Sequence, residues 1–325
     1  MKMNKMEFSA RKFAGRRNRS RLAGILSGAV MFALVVFSGT VNAQTPDYTL
    51  YIERGILTVH GAGGADLDVW GYTTLGGSAP MIPGPILEST EGQTLTVRVV
   101  NNHTKSHNFV IQGVTSDTTA ISPGGSRTYT FTTSNAGVYF YRDTLSNNVN
   151  RAMGMHGALI VRASGGVKRA WSGGPSYNQD RLWVVTDMDK PRWNDVAAAG
   201  GNVNTSVYRP NYFLMNGQGG HDGMLDPASR LEGNVGETIL VRMVNAGQFD
   251  QSLHFHGNHL RVISRNGVRL NEPEWHDTVN LKAGQTMMIL YDLTIGTFPM
   301  HVHTAQLETA NGVYLNGTAT MIVGN

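Results

Sequence analysis

An internal repeat at an offset of 144 residues constrains the fold of this chain more than any other sequence feature. The segment 87–101, LESTEGQTLTVRVVN, matches the segment 231–245, LEGNVGETILVRMVN. A second matching pair follows in the same order, PGGS at 123 leading to GVYF at 137 and AGQT at 283 leading to GTF at 296. Two homologous domains explain this agreement better than chance does.

Both copies of the repeat have the pattern of β-strands. Residues 94–100 and 239–244 alternate along the chain and are rich in β-branched side chains. Turn residues recur at intervals of about ten, which is typical of a β-sandwich. We therefore predict an all-β chain with one sandwich at 44–165, another at 180–325, and a linker at 163–177 that contains Gly and Ser.

Residues 1–43 have the pattern of an export signal. Basic residues at 16–21 precede an apolar run at 22–37, and Val41-Asn42-Ala43 forms a plausible cleavage site. The run is short for a membrane span of about 20 residues. We expect cleavage before Gln44, a periplasmic or secreted mature protein, and no membrane association afterwards.

The leader also explains the apparent basic charge. It carries eight of the 27 Lys and Arg residues and one of the 23 acids, so the mature chain holds 19 and 22, a net charge of −3. No basic run remains in the mature part, and we expect no nucleic-acid partner. The chain has no cysteine, which excludes thiolate nucleophiles, iron–sulfur clusters and every metal site that needs a Cys ligand.

Two histidine pairs carry the functional signal, His254-Phe255-His256 and His301-Val302-His303. Residues two apart on a strand face the same side, so each pair directs two imidazoles to one face. Imidazole is a good ligand for Cu, Zn, Fe and Ni. We predict one metal site from these four residues, with His259 as a further candidate. At the offset of 144, the first copy has Val110 and Gln112 in place of His254 and His256, and alignment of the Gly137 and Gly296 blocks places Arg142 and Thr144 where the second copy has His301 and His303.

The chain resembles the multicopper oxidase and copper nitrite reductase superfamily in its two-domain form. The resemblance rests on the runs LHFHG (253–257), GTFPMHVH (296–303) and MHGALIV (155–161). It implies two cupredoxin-like Greek-key β-sandwich domains, a copper cofactor, and a small-molecule substrate or dioxygen as reaction partner. It also implies a homotrimer whose metal site lies between domain 1 of one subunit and domain 2 of the next.

The departures from the family pattern are informative. Family members use a His-Cys-His blue copper site, but the Cys position is Asp143 in domain 1 and Val302 in domain 2. In domain 1 only His107 and Met155 remain, with Asn150 at the other His position. In domain 2 the two His positions fall at Gln251 and Leu307. A blue site needs two His and a thiolate, so we expect none in either domain.

Domain 1 also lacks the imidazoles that the family's trinuclear cluster requires from it. In the implied trimer, the four imidazoles of domain 2 would face Arg142, Asp143 and Gln112 of the next subunit. Arg142 and Asp143 are therefore candidate catalytic residues, and Arg142 could attract an anionic ligand. Asp277 and Glu308 are candidate carboxylates that fix the orientation of the metal-binding imidazoles, although structural roles are an alternative for both. We expect the methionines to fill the cores, and His60 and His103 to lie on the surface.

Three functions remain open at this point. The first is a copper-dependent oxidoreductase with a His-only metal site. Substrate would bind beside the metal, because the chain has no blue copper centre to relay electrons from a distant surface. The second is a non-catalytic periplasmic copper-binding or assembly protein with a degenerate oxidase fold. The third is a zinc hydrolase, since His-only zinc sites leave a position for water.

Overall fold

The computed structural model describes residues 45–325. The predicted signal at 1–43 lies outside the described residues. Within the described part of the chain, no helix is both long and apolar enough to cross a membrane.

The first half is a sandwich of two four-stranded sheets. One sheet has the order β2-β1-β4-β6 and the other has the order β3-β8-β7-β5. β1 pairs in parallel with β4, and β3 with β8, whereas the other neighbours are antiparallel. The strands are β1 Tyr48–Val59, β2 Ala65–Thr73, β3 Leu87–Thr90, β4 Thr94–Asn101, β5 Val110–Ile111, β6 Ser126–Thr132, β7 Gly137–Arg142 and β8 His156–Arg162.

The second half repeats this plan with added edge strands. Its sheets have the orders β15-β14-β17-β12-β9-β10-β19-β20 and β11-β21-β18-β13-β16. The strands are β9 Gln179–Met188, β10 Tyr212–Met215, β11 Leu231–Gly233, β12 Thr238–Asn245, β13 Gln251–Phe255, β14 Leu260–Arg265, β15 Val268–His276, β16 Thr278–Leu281, β17 Thr286–Asp292, β18 Gly296–Val302, β19 Thr309–Ala310, β20 Val313–Tyr314 and β21 Ala319–Gly324.

Among residues 45–325, helical structure is limited to single turns. The α-helical turns are α1 Val149–Ala152, α2 Asp195–Ala198 and α3 Gly220–Gly223. The other helical turns are Ser146–Asn148, Ser164–Gly166, Lys190–Asn194 and Ala305–Glu308.

Sheet order confirms the duplication that the repeat predicts. β10-β9-β12-β17 is the counterpart of β2-β1-β4-β6, and β11-β21-β18-β13 is the counterpart of β3-β8-β7-β5. β4 and β12 begin and end 144 residues apart. The all-β prediction of two sandwiches is therefore confirmed, because the same strand positions recur in the same neighbour relationships.

Each half has its own apolar core, and a third apolar cluster fills the seam between the halves. The seam cluster packs Val138 and Phe140 of β7 against Leu240 of β12 and Met288 of β17. The methionines at 153, 155, 287, 288 and 300 are all buried, as expected. The seam fixes the relation of the two sheets without a disulfide.

Two segments between the strands pack against both halves. The segment 163–177, predicted as the linker, contributes Ala170 and Tyr177 to the seam cluster. The segment after β9 returns to the first half, where Trp193 and Ala197 join the core of that sandwich. Burial of a Trp side chain removes a large apolar area from water, which explains why this excursion is held in place.

Candidate metal centre

Cross-strand register places the histidine pairs on one face of a sheet. β13 pairs antiparallel with β18, and His254 lies directly opposite His301. Their neighbours Leu253, Phe255 and Val302 are buried in the core of the second sandwich. Since successive side chains on a strand point to opposite faces, the histidines project outward, away from that core.

The structure brings the four imidazole rings together. Ring centroids lie 4.4 Å apart for His254 and His256, and 4.2 Å apart for His254 and His303. The centroid of His301 lies 5.3 Å from that of His256, 5.4 Å from that of His303 and 5.7 Å from that of His254. The contacts between the two pairs join residues 45 to 49 positions apart in sequence and arise from the β13–β18 register.

One nitrogen pair already has a separation suited to a shared ion. Nε2 of His256 lies 3.2 Å from Nε2 of His301. Two imidazole nitrogens at about 2.0–2.1 Å from one metal are roughly 2.9–3.4 Å apart for angles between square and tetrahedral. Among residues 45–325, no three His, Asp or Glu side chains are yet arranged around one point. A third imidazole must turn about its side-chain torsions to join this pair, and His303 is exposed.

Hydrogen bonds fix two of the rings through Nδ1. His301 Nδ1 donates to Glu308 Oε1 at 2.6 Å, and His254 Nδ1 lies 2.8 Å from Thr278 Oγ1. A partner on Nδ1 sets the tautomer and the ring orientation and leaves Nε2 available as a ligand. Glu308, a candidate from sequence, therefore contacts the cluster directly, and Thr278 is an anchor that sequence reasoning missed.

The surroundings favour the neutral form of two of the imidazoles. Burial lowers the pKa of His254, and the neighbouring His303 and His256 lower it further. Burial also lowers the pKa of His256, with His301 and His303 as the next causes. A neutral imidazole has a lone pair available for a metal, so the cluster is poised to accept a cation.

An open depression of about 280 Å³ adjoins the cluster. It is lined by His254, His256, His259 and Asp277, among others. His259 is exposed and makes no ring contact with the four clustered histidines. The carboxylate of Asp277 hydrogen-bonds to the Thr278 side chain, which lowers its pKa, and its charge acts on His254.

The equivalent position in the first half has no imidazole cluster. Val110 lies opposite Arg142 there, as His254 lies opposite His301 in the second half. Arg142 Nη1 donates to Gln112 Oε1 at 2.7 Å, and Gln112 Nε2 donates to the Gly284 carbonyl at 3.3 Å. Arg142 thus lies at the seam with the second half of its own chain.

Asp143 lies in the core of the first half and not beside the histidine cluster. Its Oδ2 accepts hydrogen bonds from His107 Nδ1 at 2.7 Å and from Asn150 Nδ2 at 2.9 Å. Its Oδ1 accepts from the Leu145 backbone N–H at 2.7 Å. Because the carboxylate is fully buried and has three donors, it has no access to a ligand at the outer face of its own chain.

His103 was expected on the surface, and this expectation is wrong. Its Nδ1 lies 2.8 Å from His107 Nε2, and its ring packs at 4.6 Å from Trp70. It is only 7% exposed. Asp143 orients the ring of His107, whose buried Nε2 needs a hydrogen-bond partner, and His103 provides that partner. His60 does lie on the surface, where its Nδ1 contacts Asp222 at 2.8 Å.

The second half offers no ligand set for a blue copper either. Val302 and Leu307 belong to its apolar core. Gln251 is fully buried, and its amide nitrogen and oxygen have no hydrogen-bond partner among the described residues. The second half therefore lacks both the thiolate and the two imidazoles that a blue copper site requires.

Comparison with known proteins agrees with this architecture. Residues 73–165 match a family model for multicopper oxidases, and residues 185–316 match a second model with the same description. Laccase-2 of Cryptococcus neoformans var. grubii is 24% identical over 66% of this chain and 40% of the relative. The copper-containing nitrite reductase of Neisseria meningitidis is 22% identical over 81% of this chain and 64% of the relative. The chain spans less than two thirds of the length of either relative.

Solved structures show the same fold. A blue copper oxidase from Nitrosomonas europaea superimposes with a TM-score of 0.73 at 22% identity, over 85% of both chains. A copper nitrite reductase from the same organism gives a TM-score of 0.66 at 21% identity, over 86% of this chain and 93% of the other. The two family matches together cover more than half of the sequence, and the chain belongs to the multicopper oxidase family as a divergent, two-domain member that has no cysteine for a blue copper.

Proposed function

We propose that the protein is an exported copper-dependent oxidoreductase whose metal is held by His254, His256, His301 and His303. The observation that carries the proposal is the packing of four outward-facing imidazoles, two of them anchored through Nδ1. A buried or purely structural histidine would not need three neighbouring imidazoles and a carboxylate partner. Family membership supports copper as the metal.

The donor set fits copper and also fits zinc. Imidazole nitrogen ligates both ions, and the close Nε2 atoms of His256 and His301 supply two ligands. His303 is exposed and can turn towards them, while His254 is held beside it by Thr278. His259 and Asp277 line the adjoining depression and are available to a ligand that enters it.

Copper bound at these imidazoles would supply one-electron redox chemistry and an open position for a small ligand. The role of Glu308 is to hold the proton on His301 Nδ1, so that Nε2 keeps its lone pair. Thr278 Oγ1, 2.8 Å from His254 Nδ1, fixes the orientation of the His254 ring. Because neither half provides a thiolate, the reducing substrate has to reach the imidazole cluster itself, and the open depression beside His254 provides that access.

A homotrimer is proposed on the family resemblance. The imidazoles lie on the outer face of the β13–β18 sheet, where domain 1 of a neighbouring subunit could cover them. Arg142 would have to become accessible to that neighbour to act on a ligand there. Light scattering of the mature protein should give three times the mass of one chain, and a stable monomeric mass would exclude this assembly.

The direct test of the function combines metal loading with turnover. Purified protein that starts at Gln44 is loaded with Cu(II), desalted, and supplied with small phenols under air or with nitrite and a reductant. We expect bound copper and substrate oxidation that requires it. Bound copper without turnover of any reductant would favour the non-catalytic copper-binding alternative, and hydrolysis with zinc alone would favour a hydrolase.

The Glu308→Gln variant tests the role of the carboxylate anchor. Loss of the charged acceptor on His301 Nδ1 should weaken copper binding by about 10–100-fold, as is usual for outer partners of metal-bound His. Competition titration with a copper chelator gives the affinity. Glu272→Gln, at an exposed position away from the cluster, is the matched control, and equal affinities for the two variants would remove Glu308 from the site.

A further inference from the structure

Two arginine side chains lie together at the seam between the halves. Arg142 ends β7, and Arg151 lies in α1. Both face the turn 282–285 of the second half, where Gly284 has a positive φ of 73°. The Nη1 atoms of Arg142 and Arg151 lie 3.7 Å and 3.9 Å from the point that a Cβ on Gly284 would occupy.

Neither guanidinium has an ion-pair partner. Among residues 45–325, no carboxylate lies within 4.0 Å of either side chain. Arg142 donates to the neutral amide of Gln112, and its guanidinium lies 5.0 Å from the centre of the Phe140 ring. Arg151 is 7% exposed, and its Nε has no hydrogen-bond partner among the described residues.

The two arginines repel each other, and neither has a carboxylate in direct ion-pair contact within the described part of the chain. Burial lowers the pKa of both arginines, and the charge of Arg142 lowers that of Arg151 further. The buried carboxylate of Asp187 raises the pKa of Arg151 without forming an ion pair with it. It accepts hydrogen bonds from Tyr208 Oη at 2.5 Å and from the backbone N–H groups of Gln248 and Phe249.

Buried arginines are ordinarily paired, since an unpaired buried charge is costly. Two neighbouring guanidiniums with free N–H donors form a fork that suits the oxygens of a carboxylate or phosphate. The turn at Gly284 closes one side of the space and presents no side chain to it. The arrangement has the donors and the charge of an anion site, with no carboxylate of the described residues in direct contact with either guanidinium.

We propose that Arg142 and Arg151 bind a small oxyanion, an inorganic phosphate-like ion or a carboxylate, at the seam between the halves. The site is separate from the histidine cluster. His254 lies opposite Thr278 at the start of β16, whereas Gly284 follows the other end of that strand. The inference depends on these two arginines and not on metal binding.

Binding is measured on the full mature protein by calorimetric titration with inorganic phosphate and, separately, with acetate at constant ionic strength. We expect saturable binding of at least one of the two anions and an anion-dependent rise in melting temperature. Binding of phosphate alone assigns an inorganic oxyanion, and binding of acetate assigns a carboxylate. Absence of saturable binding of both anions would overturn the proposal.

The variants Arg151→Met and Arg142→Gln assign the binding to this pair. Each should weaken the affinity at least tenfold, and Arg151→Met should melt at or above the wild-type temperature without anion because like-charge repulsion is relieved. Arg98→Gln, at an exposed position of β4, is the control and should bind as wild type does. If Arg151→Met does not fold, Arg142→Gln alone decides, and unchanged affinity in it would refute the assignment.

Discussion

Replacement of both His256 and His301 by alanine is expected to weaken copper binding by more than about 100-fold, since loss of outer partners alone costs about 10–100-fold. These residues provide the nitrogen pair separated by 3.2 Å, and their removal leaves two imidazoles that sit on the far side of the cluster. Copper retained after desalting, measured by atomic emission, gives the result. The side chains point away from the core, so the variant should fold.

The matched control is the double variant His60→Ala and His221→Ala. Both residues are exposed histidines that contact Asp222 at 2.8 Å, outside the imidazole cluster. Copper content equal to that of the wild type is expected for this control. If the His256 and His301 variant also retained its full copper content while its circular dichroism stayed native, the cluster would not be the metal site.

The pair of substitutions Asp143→Cys and Asn150→His should create a blue copper in the first half. In the present structure His107 Nδ1 and Asn150 Nδ2 both point at one oxygen of Asp143, at 2.7 Å and 2.9 Å. A thiolate and an imidazole at these positions, with His107 and Met155 in place, would complete the ligand set of two His, one Cys and an axial Met that blue sites use. We expect an intense blue absorption band after addition of Cu(II), which the native protein should lack.

A single Val302→Cys substitution in the second half serves as the control for this gain. It introduces a thiol at the equivalent strand position, but Gln251 and Leu307 stand where the imidazoles would be needed. The control should stay colourless. A folded Asp143→Cys and Asn150→His variant with no blue band would show that the first half does not retain the ligand geometry of a blue copper site. A blue Val302→Cys variant would also contradict this interpretation.

The parts of the structure that could be predicted from sequence are those fixed by strand periodicity and by the repeat. The offset of 144 residues correctly aligned β4 with β12 and His254 with Val110. The outward direction of His254 and His256 follows from their spacing of two along a strand. Such rules are local, so one sequence is sufficient to apply them.

The parts that could not be predicted depend on contacts between distant segments. His103 is buried because His107, itself held by Asp143, presents a nitrogen to it. Trp193 leaves the second half to fill the core of the first. The burial of Asp143 could not be predicted either. Its position in the motif indicates the end of a strand, but it does not indicate that His107 and Asn150 hydrogen-bond to its carboxylate.

Only one of the two arginines at the seam could be identified from the sequence. Arg142 could be located through the repeat, but Arg151 lies in a short helical turn with no counterpart in a motif. Three residues with left-handed backbone, Ser146 to Asn148, precede this turn and set its direction. Only the folded chain brings Arg151 beside Arg142, which is why the anion site follows from the structure alone.

The central claim is that imidazoles of the second half bind copper without a thiolate, and the electron paramagnetic resonance spectrum of the copper-loaded mature protein tests it most directly. We expect bound Cu(II) with hyperfine coupling to several nitrogens and no intense blue absorption, and the nitrogen coupling should disappear when His256 and His301 are replaced. Copper that is lost on desalting, or a spectrum without nitrogen coupling, would contradict it.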